Sequence, residues 1–122
     1  MNKLIEKTLS DFTVNGKKIP VKFLRYNGSS ETYITYMMTD ADSVLHGDDE
    51  LLNYVEYYDF DIYTKGNYKP IIKALKGLLT SVGFMWEPDR TSSDMYEDDT
   101  KYYHKTLCFS IERSENGKDW IK

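Results

Sequence analysis

The sequence predicts an α+β domain: a small, mostly antiparallel sheet of about five strands with two helices packed on one face, in the order α-β-β-β-α-β-β. Three observations lead there. Tyr58, Phe60 and Ile62 alternate with Asp59 and Asp61, and Leu107, Phe109 and Ile111 alternate with polar neighbours, the period of strands with one dry face. Ile71, Ile72, Leu75, Leu78, Leu79 and Val82 recur at helical spacing behind Pro70. The cluster Asn27-Gly28-Ser29-Ser30 separates two strand-like segments, which are expected to form an antiparallel hairpin.

The elements follow in chain order. Leu4, Ile5, Thr8, Leu9 and Phe12 share one face of a helix over 3–12, which Asn15-Gly16 breaks. Residues 18–26 read as a strand with Ile19, Val21 and Phe23 on one side, and residues 31–38 as a second, rich in Thr, Tyr and Ile. Residues 39–50 are polar and acidic and read as a loop, and 51–64 as the third and longest strand. Lys65-Gly66-Asn67 ends that strand, and Asn67 is placed to cap the second helix. Pro70 sits in the first helical turn, where its missing N–H costs little, and Gly83 closes the last. Phe84 to Glu87 form a short strand stopped by Pro88, residues 89–100 a long loop, and 101–113 the last strand, with His104, Thr106, Cys108, Ser110 and Glu112 facing outward. Residues 1–113 make one domain, and 114–122 a polar tail carrying Trp120.

Composition bounds the function. Apolar residues at 40% supply a core, so the chain is not intrinsically disordered. The eleven tyrosines suit half-buried strands and interface rims alike. Net charge is −4 but uneven: eight acids and no Lys or Arg fall between Asp40 and Asp61, whereas residues 1–39 hold six basic and three acidic side chains. A net acidic domain gains little from counterion release, which disfavours tight nucleic-acid binding. Opposite-signed patches suit head-to-tail self-association. The single cysteine, Cys108, excludes an intrachain disulfide and fits a reducing compartment. No apolar run approaches the length of a membrane span.

Catalytic and metal chemistry find little support in the residue pattern. Asp40-Ala41-Asp42-Ser43 begins like a calcium loop, but Leu45 and Leu51 stand where the glycine and glutamate belong. Glu97, Asp98 and Asp99 lie near His104, yet Ser92 and Ser93 have no glycine elbow or oxyanion motif, and Cys108 has no evident base. No cofactor, metal or catalytic residue is expected. Contact residues are a different matter. Asp48, Asp49 and Glu50 form an acidic cluster, Lys69, Lys73 and Lys76 a basic helix stripe, and Arg90, Asp94, Met95 and Tyr96 an interaction loop.

Two segments carry a family likeness. The first is Tyr58-Asp59-Phe60-Asp61-Ile62-Tyr63-Thr64-Lys65-Gly66-Asn67-Tyr68. The second runs from Gly83-Phe84-Met85-Trp86-Glu87-Pro88-Asp89-Arg90 through Asp94-Met95-Tyr96-Glu97-Asp98-Asp99-Thr100 to Tyr102-Tyr103-His104-Lys105-Thr106. With Pro20-Val21 and Thr32-Tyr33-Ile34-Thr35-Tyr36, the pattern resembles the small tail proteins of long-tailed phages and prophages of Gram-positive bacteria. The resemblance implies a tail terminator, or tail completion, protein. Such a protein forms a ring, usually a hexamer, on the head-proximal end of the tail tube, stops its growth and offers a docking surface to the head. It further implies the major tail tube protein and a head–tail connector as partners, DNA that only passes through the lumen, no membrane, and a place in the virion after assembly in the host cytoplasm. Other readings of the same residues are a head-completion or head–tail joining ring protein, a small soluble interaction or regulatory protein, and an enzyme built on His104, which lacks a nucleophile.

Overall fold

Strand β5 (Leu52–Thr64) forms the middle of the sheet and is paired antiparallel on both edges, with β4 (Tyr33–Leu45) on one side and β8 (Tyr102–Ser114) on the other. The computed structural model describes residues 2–45, 52–92 and 94–114. Around the three long strands lie helix α1 (Asn2–Leu9), strands β1 (Thr13–Val14), β2 (Lys17–Lys18) and β3 (Val21–Phe23), helix α2 (Lys69–Ser81), strand β6 (Met85–Trp86), a 3-10 turn (Pro88–Arg90) and strand β7 (Met95–Glu97). The main sheet has six strands in the order β3-β4-β5-β8-β6, with β7 also on β8, and β1-β2 is a separate ribbon. This is the α+β arrangement expected, with a mostly antiparallel sheet and two helices among the described residues.

The helices share one face of the sheet. Ile5, Leu9 and Phe12 from the α1 region and Ile71, Leu75 and Leu79 from α2 pack in one core with Ile34, Tyr36, Tyr58, Phe60, Ile62, Leu107, Phe109 and Ile111. Phe60 is fully buried between the rings of Tyr36 and Phe109, at 5.7 and 5.6 Å. Helix α2 starts as anticipated: the Lys69 N–H donates to Asn67 Oδ1 at 3.0 Å, although Tyr68 occupies the cap position itself. It stops at Gly83, whose φ of 106° lies in the left-handed region that glycine tolerates.

Six expectations are corrected. The first helix ends at Leu9, three residues short, and Asn15-Gly16 does more than break it. With φ of 54° and 81°, these two residues turn the β1–β2 hairpin, in which Val14 pairs with Lys17. The strand expected over 18–26 is split into β2 and β3 at Pro20, which has no N–H to give a ladder.

Strands β3 and β4 are parallel, with Val21 opposite Ile34 and Phe23 opposite Tyr36, so the expected hairpin is absent. Leu24 leaves β3 with φ of 68°, and the chain folds back over Tyr26. The Tyr26 ring stacks on Tyr33 at 4.8 Å, and its hydroxyl accepts the Ser30 N–H at 2.8 Å. A Cβ at Gly28 would collide with the Tyr26 ring, so this return path needs glycine there.

Residues 39–45, read as loop, continue β4 past an irregularity between Met38 and Asp40; residues 46–50 lie outside the described residues. Asp40 and Asp42 stay in the strand because β5 supplies their backbone partners, and the Asp40 side chain is exposed to water. The stretch 89–100 is likewise not a plain loop, since β7 pairs back onto β8. Finally, Cys108 and Ser110 of β8 lie on the outward face yet are buried. The described part of the C-terminal tail is Ser114, which ends β8; the rest lies outside the described residues.

Phe60→Ala opens a cavity at the centre of this core and is expected to lower unfolding free energy by about 3–5 kcal/mol, read from the shift in urea midpoint at constant m-value.

Candidate interaction surface

Antiparallel register brings side chains far apart in sequence into rows on the sheet face opposite the helices. Tyr63 stands between Tyr33 and His104, Asp61 between Thr35 and Thr106, and Asp59 between Met37 and Cys108. The rings of Tyr26, Tyr33, Tyr63 and His104 stack in series, with centroids 4.8, 4.9 and 4.3 Å apart. His104 Nε2 lies 3.2 Å from Asp61 Oδ1, and the Thr106 hydroxyl donates to the same oxygen. The acid beside His104 is thus Asp61 on β5, while Glu97 pairs with Tyr102 on the β7–β8 ladder.

A hydroxyl nucleophile needs its proton aimed at a base. The Thr106 proton is aimed at the Asp61 carboxylate, and its Oγ1 lies 3.5 Å from His104 Nε2. Cys108 is no better placed. Burial, then the neighbouring Asp59 carboxylate, push its thiol up to about 11, so it stays protonated at neutral pH. Burial, then Asp61, also raise the Asp59 carboxyl above its ordinary value. Among the described residues no cluster of three or more His, Cys, Asp or Glu side chains is arranged to hold a metal ion.

The anticipated contact residues are dispersed. Arg90 reaches over the outward face: its guanidinium carbon lies 3.8 Å above the Tyr57 ring, and its Nη1 lies 3.7 Å from Asp40 Oδ2. It therefore ties the 3-10 turn to the base of the β4–β5 hairpin. Asp94 bonds the Tyr68 hydroxyl and pairs with Lys105 at 3.0 Å, which together hold its carboxyl below the usual range. Met95 and Tyr96 are exposed on β7, with the Tyr96 ring 4.8 Å from that of Tyr103. Of the basic stripe, Lys69 and Lys73 are exposed, whereas the Lys76 ammonium sits 3.4 Å over the Trp86 ring. Lys69 and Asp94 come together in a hollow of about 410 Å³ at the start of α2. Asp48, Asp49 and Glu50 lie outside the described residues.

The acidic stretch from Asp40 to Asp61 is also divided. Asp59 and Asp61 belong to the half-covered outward face, while Glu56 is buried on the helix side and accepts the Tyr58 hydroxyl at 3.1 Å. Beyond Tyr36, β4 runs clear of β3, and Met37, Met38, Thr39, Asp40 and Ala41 are exposed. The distal part of the β4–β5 hairpin is therefore an arm at one end of the sheet, with Asp40 and Asp42 in its β4 strand. At the other end α1, β2 and β3 gather exposed Lys3, Lys7, Lys17, Lys18 and Lys22. No family model matches the chain, and no curated protein matches it in sequence.

Two outcomes follow from this geometry. The folded chain holds the Cys108 proton to about pH 11, while an unfolded thiol releases it near about 8.5. Stability from this group is therefore full below about pH 8.5 and falls as pH rises towards 11. Cys108→Ala is expected to flatten that slope, and a thiol reagent at pH 8 should label native protein far more slowly than urea-unfolded protein. In a double-mutant cycle, Arg90→Ala and Tyr57→Leu should couple by about 0.5–1 kcal/mol. Additive effects would show that the stack contributes nothing.

Proposed function

We propose that this chain is a tail terminator of a long-tailed phage or prophage. Copies close into a ring, a hexamer as the resemblance implies, on the head-proximal end of the tail tube. The ring stops tube polymerisation and presents a docking surface to the head connector. The observation that carries this reading is the division of charge along one sheet, with an acidic hairpin arm at one end and the lysines of α1, β2 and β3 at the other. A ring is made of heterologous contacts, in which one surface of each copy meets a different surface of the next. A small domain with opposite-signed ends satisfies that requirement.

The motifs spanning residues 58–68 and 83–106 support the same reading, because they combine the central strand, the second helix and the paired outer edge of β8. The chemistry required is contact chemistry alone, and the ring needs no cofactor. DNA crossing the lumen meets a net acidic protein, which disfavours adhesion. The major tail tube protein and a head–tail connector are the partners of the two ring surfaces.

Electron microscopy of tails made with and without this chain tests the proposal. Over-long tails of uneven length are expected in its absence, with normal length restored by supplying it. Tails of normal length without it would contradict a terminating role.

A further inference from the structure

Exposed apolar side chains gather at both edges of the main sheet. Phe23, Leu24, Met37 and Met38 stand on the β3–β4 edge, and Met85 and Trp86 on the β6 edge. Register joins the two groups. Met38 is opposite Tyr58, Tyr58 opposite Phe109 and Phe109 opposite Trp86, so one apolar row crosses the sheet from edge to edge. Its inner members are buried, whereas Met38 and Trp86 at its ends are 49% and 36% exposed. Leu24, at 57% exposed, adds a second sign. Its φ of 68° lies in the left-handed region, which glycine or asparagine enters with less strain than a branched side chain. The backbone there holds an apolar side chain out in water, and strain of this kind gathers at functional sites.

The two edges fit each other. The last rung between β3 and β4 is the Leu24 N–H on the Tyr36 carbonyl at 3.0 Å. Strand β4 then runs on past Met37 and Met38, with no strand on its outer side among the described residues. At Ala41 the edge closes again, because Asp40 Oδ1 accepts that N–H at 2.8 Å. Strand β6 is 2 residues long, lies level with this opening and is the last strand on its own side. Strand direction alternates from β4 through β5 and β8 to β6, so β6 runs antiparallel to β4. The flanking charges agree. Lys22 and Arg25 border the opening on the β3 side, and Glu87 and Asp89 follow Trp86. The Glu87 N–H donates to the Cys108 carbonyl, which sets Glu87 at the height of Met37, next along the strand from the height of Lys22. Past Met38 comes Asp40, and beside Trp86 is Lys76.

We propose that β6 of one copy adds antiparallel to the open edge of β4 in a second copy, just beyond the end of β3. Met85 and Trp86 cover Met37, Met38 and Leu24, and Asp89 meets Lys22 and Arg25. The apolar row then continues from one sheet into the next, with charges at its rim. The contact is heterologous, since one edge meets the other. It goes beyond the ring reading and uses other surfaces: the edges lie across the strands, the charged ends along them. Either contact can therefore fail alone.

Two edge-blocked chains give the test. Isotope-labelled chain with Met85→Lys keeps its β3–β4 edge. Unlabelled chain with Met37→Glu and Met38→Glu keeps its β6 edge. Every substituted side chain is exposed, so both chains are expected to give the amide spectrum of a folded protein. Titrating the first with the second should produce saturable shifts at Phe23, Leu24, Met37 and Met38. Asp89→Lys in the unlabelled chain should weaken the same shifts, and more so at low salt. Adding Leu24→Asn to the labelled chain keeps the left-handed backbone but removes the apolar side chain, and should weaken binding about tenfold. The absence of shifts would overturn the proposal, as would equal binding by the Leu24→Asn chain. Equal shifts from unlabelled Met85→Lys chain, which has lost the β6 edge, would overturn it too. So would shifts confined to Lys3, Lys7, Lys17 and Lys18, which would leave the charged ends as the contact.

Discussion

Strand β5 is hydrogen-bonded along both edges for nearly all of its length, and every other placement in the fold depends on that double register. A slip of one residue on either side would turn Tyr58, Phe60 and Ile62 away from the helices and bring Asp59 and Asp61 in. Burial of Phe60 and Ile62 and the charge of the two aspartates therefore favour the same register. The same pairing sets Asp61 opposite Thr106 and Tyr63 opposite His104, so the outward face is closed by polar contacts and stacked rings. Arg90 and the connection beside β8 complete that closure over Cys108 and Ser110. The outward face is thus half dry although α1 and α2 both lie on the other face.

The long strands outrun the helices, and this gives the molecule its two ends. Core side chains stabilise the Tyr36 end, where α1 and α2 converge on the sheet. Among the described residues the arm has no such cover and is organised mainly by the β4–β5–β8 ladder and the contact of Arg90 with Tyr57 and Asp40. An arm held mainly by backbone pairing and surface charge is suited to meeting another molecule. Its acids would repel a like-charged edge and so favour a basic acceptor.

Much of this was legible from residue order, and the failures share a cause. The core face of β5, the apolar stripe of α2 and the Gly83 stop rest on local periodicity and backbone preference, and each appears in the structure. Residues 39–45 misled because their acidic, polar composition is shared by loops and by solvated strands; only the partner strand decides between them. The β3–β4 pairing misled because a turn cluster reports a reversal without its geometry, and here Tyr26 and Gly28 fold the chain far enough back to make the strands parallel. The Asp61–His104 and Arg90–Tyr57 contacts join residues 43 and 33 positions apart, so only register reveals them. The burial of the Tyr36 hydroxyl without a hydrogen-bond partner among the described residues had no sequence signal, because a tyrosine in a strand looks the same whether its tip is satisfied or not.

The central claim is that opposite ends of one sheet meet between copies. Carbodiimide coupling, which links lysine to carboxylate with no spacer, tests it directly on an equal mixture of light and heavy isotope-labelled native protein. The account predicts mixed-isotope cross-links joining Lys18 or Lys22 to an acid between residues 40 and 50. Cross-links at those lysines found only within single copies, or only to acids outside the arm, would contradict it.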